Sequence, residues 1–343
     1  MNRPSPSPDH RRVRPFHAVY FEIVSGCNAR CAYCHSGVQR VARMRFVETA
    51  VFRASLQRLL TAQAIAPGTV ISLYNWGEPL LHPRLPELVG VIDELRLRYA
   101  ISTNASRPLA ASPALVRNLD HLIFSMPGFS QAAYDRIHGF VFPEIVRNIE
   151  GMLRDCRAHG FRGRGVISYH VYRFNVAELR AAERFADRLR LEFNPYFAIL
   201  NHWWELNAYR QDQLPPERRA EAERDLFTLD GMAAALAAAP KAGYRCPQND
   251  YLVLDENGRI VTCCQIARDH PDFACGSALH DDIPALLRRR TRQPVCAECI
   301  GSGLAHYLNT ALRRPDFYRP SLRQRIMHLK TRLQRVLKRI GRN

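Results

Sequence analysis

Between residues 16 and 200 the sequence alternates strand-like and helix-like segments about six times. Apolar, β-branched runs at 16–24, 69–74, 98–102, 119–125, 165–172 and 191–198 read as strands. Stretches of helical periodicity at 45–60, 85–95, 145–159 and 176–189 lie between them. Such alternation calls for parallel strands, because a parallel pair needs a long crossover and that crossover is right-handed. Polar, Gly or Pro residues gather just after each strand, where a β/α barrel carries its chemistry. Six units make a partial, TIM-like (β/α)6 barrel with a lateral opening; an open doubly wound sheet is the alternative.

The loop after the first strand reads Cys27-Asn-Ala-Arg-Cys31-Ala-Tyr-Cys34, a C-x3-C-x2-C triplet. Nine of the ten cysteines fall into this triplet and a later group at 246, 263, 264, 275, 296 and 299. The remaining one, Cys156, sits in a helical stretch and reads as a small buried residue. Residues 1–15 lack the apolar core of a signal peptide, and no run of about 18 apolar residues exists to span a bilayer. A cytoplasmic location is therefore expected, where clustered thiols bind metal rather than form structural disulfides. Three thiolates can hold three corners of a cubic [4Fe–4S] cluster and leave one iron open to a substrate or cofactor. A zinc site would want a fourth ligand, and His35 is the obvious one.

The triplet, with the aromatic Tyr33 just before its last cysteine, resembles the radical SAM (S-adenosylmethionine) superfamily. Trp76-Gly77-Glu78-Pro79 after the second strand resembles that family's GGEP motif, with Trp in place of the first Gly. Ser102-Thr-Asn104 after the third strand resembles its ribose-contacting stretch. The resemblance implies that S-adenosylmethionine chelates the open iron through its amino and carboxylate groups. One electron from the reduced cluster then cleaves the sulfonium, and the 5′-deoxyadenosyl radical takes a hydrogen atom from the substrate. By the same resemblance Cys27, Cys31 and Cys34 hold the cluster and Gly77 and Glu78 meet the methionine amino group. Tyr33 lies by the adenine, Ser102 and Asn104 lie by the ribose, and Ser168 is a further cofactor contact. A one-electron donor such as flavodoxin or ferredoxin is implied as well.

In the later cysteine group, Asp255-Glu-Asn-Gly258 reads as a hairpin turn that folds Cys263 back toward Cys246, and Cys296-x2-Cys299 supplies two more thiols. This pattern resembles the SPASM/twitch extensions of radical SAM enzymes, which carry auxiliary [4Fe–4S] clusters. A complete SPASM unit holds two, but no cysteine follows Cys299, so one auxiliary cluster is expected, on Cys246, Cys263, Cys296 and Cys299. Cys264 is a substitute for Cys263, and Cys275 is either a core thiol or a substitute ligand. A rubredoxin-like zinc or iron site is the alternative.

The net charge of +17 divides unevenly: +3 on residues 1–15, +4 on 16–310 and +10 on 311–343. Residues 1–15 are expected as a disordered basic lead and 16–200 as the barrel. Residues 201–243 form a connector, either a lid over the rim or a surface excursion. Residues 244–305 form the cysteine-rich unit, and 306–343 hold a basic amphipathic helix. In that helix Leu322, Ile326, Leu329 and Leu333 recur at three- to four-residue spacing among Arg and Lys. Its partner is an anionic membrane surface, nucleic acid, an acidic protein, or the rest of the chain. The substrate class stays open among small molecules, sugars and peptides. His170, Tyr172, Trp203, Trp204 and Glu205 are candidates to line its space. A zinc-binding, nucleic-acid-associated protein is the competing function. It accounts for the basic ends and the C-x2-C, but not for an open triplet ahead of Gly-Glu-Pro.

Overall fold

Nine strands form one sheet: β1 (Ala18–Phe21), β2 (Val70–Ser72), β3 (Arg98–Thr103), β4 (Leu119–Met126), β5 (Arg164–Val171), β6 (Glu192–Phe197), β7 (Leu252–Leu254), β8 (Arg259–Val261) and β9 (Ala274–Ser277). The computed structural model describes residues 15–340, with side chains through residue 333. The basic lead, apart from Pro15, lies outside the described residues. Strand order is β6-β5-β4-β3-β2-β1-β7-β8-β9. Strands β1 to β6 pair in parallel in sequence order, so each crossover returns the chain to the neighbouring position, as in a barrel wall. The wall does not close. The outer edge of β1 is taken by β7, which pairs with it in parallel with Val19 opposite Leu252 and Phe21 opposite Leu254. Strands β8 and β9 follow antiparallel. The cysteine-rich segment thus continues the barrel's own sheet.

Each long crossover helix buries one stripe against the sheet. Phe52, Leu56 and Leu59 do so from Thr49–Thr61, and Leu88, Val91 and Ile92 from Leu85–Glu94. Ile145, Ile149 and Met152 do so from Phe142–Ala158, and Ala182, Phe185 and Ala186 from Leu179–Leu189. Two further helices, Pro113–Arg117 and Gln131–Arg136, were not expected. Each opens on a serine whose Oγ accepts a main-chain N–H, Ser112 from Leu115 and Ser130 from Ala133. The turn between β7 and β8 is the expected Asp-Glu-Asn-Gly hairpin, with Gly258 at φ +71° where a side chain would be strained.

The connector folds into helices Trp203–Arg210, Pro216–Asp225 and Met232–Ala238. The last helix, Leu322–Ile340, lies along β6. Gln324 there is buried, its Oε1 accepting the Phe193 N–H at 2.8 Å and its Nε2 donating to the Leu191 carbonyl at 3.0 Å. Among the described residues no helix is long and apolar enough to cross a membrane.

Candidate functional site: a thiol-lined cavity

Strand β1 delivers the chain to the cysteine triplet at the sheet's C-terminal rim. Cys34 precedes a four-residue helical turn, His35–Val38. Gly37 in that turn lies so close to the preceding loop that a Cβ would sit 2.1 Å from the Cys31 carbonyl oxygen. The Cys27 Sγ accepts from the Ala29 N–H at 3.4 Å and from Asn104 Nδ2 at 3.5 Å. Burial pushes the Cys27 thiol up to about 12, with the Glu78 charge adding to it, and burial likewise raises Cys31 and Cys34. Thiols held this high are protonated and poor free nucleophiles, and a bound cation would be needed to hold them as thiolates.

The loop after β2 is shaped from below by a residue the sequence reading missed. The buried Glu22 carboxylate accepts both the Trp76 and Gly77 N–H groups through Oε1, each at 3.0 Å. Gly77 has no room for a side chain, because a Cβ would lie 1.9 Å from the Val24 carbonyl oxygen. Glu78 is buried too. Its Oε1 accepts from Thr103 Oγ1 at 2.7 Å and Leu80 N at 3.0 Å, and its Oε2 accepts from Asn104 N at 2.7 Å. Burial lifts its carboxyl to about 7. Glu78 therefore joins the β2 rim to the β3 rim. Asn104 completes the circuit, its Nδ2 donating to Asn28 Oδ1 in the triplet loop at 2.9 Å.

Tyr33 is anchored from the connector. Its hydroxyl donates to Asp225 Oδ2 at 2.8 Å, and the Arg218 guanidinium lies 4.9 Å from its ring. Arg218 also donates to the Ala32 carbonyl at 2.5 Å, and Asn201 N donates to the Tyr33 carbonyl at 2.8 Å. The connector packs on the triplet loop, and no residue from 203 to 243 lines the cavity described next.

That cavity has a volume of about 540 Å³ and is lined by Cys27, Cys31, Tyr33, Cys34, Gly77, Glu78, Ser102, Asn104 and Ser168 together. All nine residues expected in the first half of the sequence to hold the cluster or its cofactor meet at one place. His170 and Tyr172 line it as well, whereas Trp203, Trp204 and Glu205 do not. Trp204 instead stacks on His270, and Glu205 pairs with Arg218. His138, Ser125, Asn194, Tyr196 and Arg314 are among the other residues that line it and were not anticipated. Ser125 ends a strand and was within reach of the post-strand rule; His138 and Arg314 carry no local signal. Burial drives His170 down to about 4 and His138 to about 3, so both are neutral imidazoles at neutral pH. Among the described residues no three His, Cys, Asp or Glu side chains converge as a site for a single metal ion. What the three thiols share is a cavity rather than a point. Three soft donors on a loop that excludes even a Cβ fit an iron–sulfur cluster bound at three corners.

A second, smaller cavity of about 60 Å³ is lined by Cys246, Cys263, Cys296 and Cys299. Cys264 and Cys275 do not line it. Cys264 Sγ donates to Gln248 Oε1 at 3.3 Å, and Cys275 is buried beside Thr262 and Gln293. Main-chain Gln265 N donates to Cys263 Sγ at 3.3 Å. Burial pushes Cys296 up to about 11 and raises Cys246 and Cys299. The donor set, four thiols around one space, fits a tetrathiolate cluster. Beside them Arg290 is buried, its guanidinium donating to the Tyr251 and Asn249 carbonyls at 2.7 and 2.8 Å.

Residues 21–186 match the radical SAM superfamily. The chain carries a radical SAM domain. Among curated proteins, the PqqA peptide cyclase of Xanthomonas axonopodis pv. citri (strain 306) is 27% identical over 230 residues, 64% of this chain and 55% of that protein. That of Gluconobacter oxydans (strain 621H) is 28% identical over 213 residues, 59% of this chain and 56% of that protein. The chain thus spans a little over half the length of these relatives. Among solved structures, Streptococcus suis SuiB bound to precursor peptide SuiA superposes with a TM-score of 0.55 at 13% identity, covering 90% of this chain and 76% of that one. Native anSMEcpe with bound AdoMet gives 0.53 at 12% identity, covering 82% of each chain. At identities this low the likeness is one of fold alone.

The radical SAM domain is tied to the cysteine-rich segment by a buried ionic chain. Arg268 meets Glu22 Oε2 at 2.5 Å and Glu256 Oε2 at 2.9 Å, and Arg45 meets Glu256 Oε1 at 2.7 Å. Burial lifts the Glu22 carboxyl to about 7 even against Arg268. Burial acts the same way on Glu256, but Arg268 and Arg45 together hold it below the usual carboxylate range. The same Glu22 that shapes the Trp76-Gly77 turn is thus paired with a cation from the C-terminal unit.

Proposed function

We propose that this chain is a radical SAM enzyme that abstracts hydrogen from a peptide. In this reading Cys27, Cys31 and Cys34 hold a [4Fe–4S] cluster, and Cys246, Cys263, Cys296 and Cys299 hold an auxiliary one. When bound, the first cluster and S-adenosylmethionine supply a 5′-deoxyadenosyl radical, with the electron drawn from a donor such as flavodoxin or ferredoxin. The protein's part is position. The Gly77-Glu78 rim, fixed by Glu22 from below and by Thr103 and Asn104 from the side, takes the methionine amino group. Ser102 and Asn104 take the ribose, and Ser168 a further edge of the cofactor. Tyr33 offers its ring to the adenine, since its hydroxyl is held by Asp225. The observation that carries the reading is the meeting of the thiol triplet with all six of these residues in one cavity. The peptide assignment is supported by the curated relatives, which are named PqqA peptide cyclases. Arg314 and the neutral His138 and His170 give the wall one cation and uncharged polar groups suited to a main chain.

Anaerobic reconstitution of the full chain tests this. The wild type should hold about eight irons, and replacing Cys27, Cys31 and Cys34 by Ala should leave about four. With dithionite and S-adenosylmethionine the wild type should release 5′-deoxyadenosine and the triple variant none. Replacing Cys246, Cys263, Cys296 and Cys299 should also remove about four irons. Zinc in place of iron, or 5′-deoxyadenosine from the triple variant, overturns the reading. A deuterated peptide encoded beside the gene should pass deuterium to 5′-deoxyadenosine; failure of that transfer alone overturns the peptide assignment.

A further inference from the structure

The C-terminal helix is mounted with its polar side inward. Gln324 is fully buried and Thr331 nearly so. Besides its bonds to the β6 main chain, Gln324 Nε2 donates to Asp187 Oδ1 at 2.8 Å, and Thr331 Oγ1 donates to Glu192 Oε1 at 2.6 Å. Just before the helix, Tyr318 and Ser321 N both donate to Glu183, at 2.6 and 2.7 Å. At about 100° per residue, Leu322, Ile326, Leu329 and Leu333 fall within about 60° of one another, roughly opposite Gln324 and Thr331. They stand 70, 46, 67 and 58% exposed. A helix of a soluble domain ordinarily turns such a stripe to the core. Here the core contact is made by polar groups, and the stripe faces out.

The charges around the stripe identify what it meets. Arg323 and Lys330 lie along one flank and Arg325 and Arg332 along the other, about 60–100° from the stripe's centre. All four are exposed. Arg190, from the end of a neighbouring helix, joins Arg323 and Lys330 along a groove of about 590 Å³ beside Leu322 and Ile326. No Asp or Glu occurs between residues 322 and 340. An apolar row bordered on both sides by long cations fits the surface of an anionic bilayer. The leucines enter the acyl boundary while the Arg and Lys stems reach outward to the phosphates. A second copy would oppose basic rows to basic rows with no carboxylate in the helix to offset them. We propose that this helix seats the chain on an anionic lipid surface. The proposal is independent of the chemistry assigned to the cavity.

Vesicle flotation with the full chain decides it. The wild type should float with phosphatidylcholine–phosphatidylglycerol vesicles, stay behind with phosphatidylcholine alone, and be released by raised salt. Replacing Arg323 and Lys330 by Ala should lower partitioning about fivefold for each charge removed. Leu329→Glu, at a site that touches no core, should abolish it while leaving the unfolding midpoint unchanged. Equal flotation with both vesicle types, or none with either, overturns the proposal. So does a wild type that sediments as a dimer split by Leu329→Glu, or one that binds polyglutamate and ignores lipid. The wild-type lipid preference and its salt dependence stand as the deciding readout even where a variant misfolds.

Discussion

A methyl group has nowhere to go at Gly37. The atom it would strike, the Cys31 carbonyl oxygen, is main chain and cannot swing aside as a side chain would. Gly37→Ala should therefore shift the turn that sets Cys31 against Cys34. The expected result is a reconstituted protein with about half the wild-type iron, read by metal analysis, and a stability loss of about 1–3 kcal/mol. This constraint was not legible in the sequence, because it depends on a contact between loops. The three cysteines were legible because one short loop supplies them all, and Gly77, Glu78, Ser102 and Asn104 because they sit in short motifs at the ends of strands. Glu22, His138 and Arg314 were hidden for the opposite reason: each is brought to the site by tertiary folding, from a place in the chain that looks ordinary. Tyr33 was found, but the tie between its hydroxyl and Asp225, nearly two hundred residues later, has no local trace.

Five of the six barrel strands were legible to within two residues at their carboxyl ends and β1 to within three, since apolar runs bounded by turn residues are strong local signals. The helices Pro113–Arg117 and Gln131–Arg136 were not, because five or six residues are too few to display a period. The C-terminal helix shows a further limit. Periodicity located its apolar stripe but could not say which side faces the protein, and Gln324 settles that. Its side chain caps both the Phe193 N–H and the Leu191 carbonyl at the exposed edge of β6. Gln324→Ala leaves both groups without a partner. It should cost about 1–3 kcal/mol in denaturant unfolding and make the Phe193 amide exchange with solvent markedly faster, while Arg325→Ala on the exposed flank changes neither.

At the scale of the whole molecule, Arg268 couples the cysteine-rich segment to the turn after β2. Arg268→Met would leave Glu22 and Glu256 buried side by side, with Arg45 the sole remaining cation in the chain of contacts. Breaking such a buried network should cost about 3 kcal/mol and weaken S-adenosylmethionine binding, measured by denaturation and by equilibrium dialysis. The pH dependence follows from Glu22. Its carboxyl is already raised to about 7 by burial, so it favours the folded state in its protonated form. That contribution is whole below the ordinary carboxylate range and is lost as pH rises through about 7. Removing Arg268 strengthens the same trend, so the variant's deficit should be smallest near pH 5 and largest above 7.

The sheet carries this coupling further. Since β7 lies against β1 rung for rung, from Val19 and Leu252 to Phe21 and Leu254, the two halves of the chain hold one ladder in common. A segment grafted in place of residues 244–305 keeps both the ladder and the buried ionic chain only if it presents a strand in the same phase and a cation where Arg268 stands.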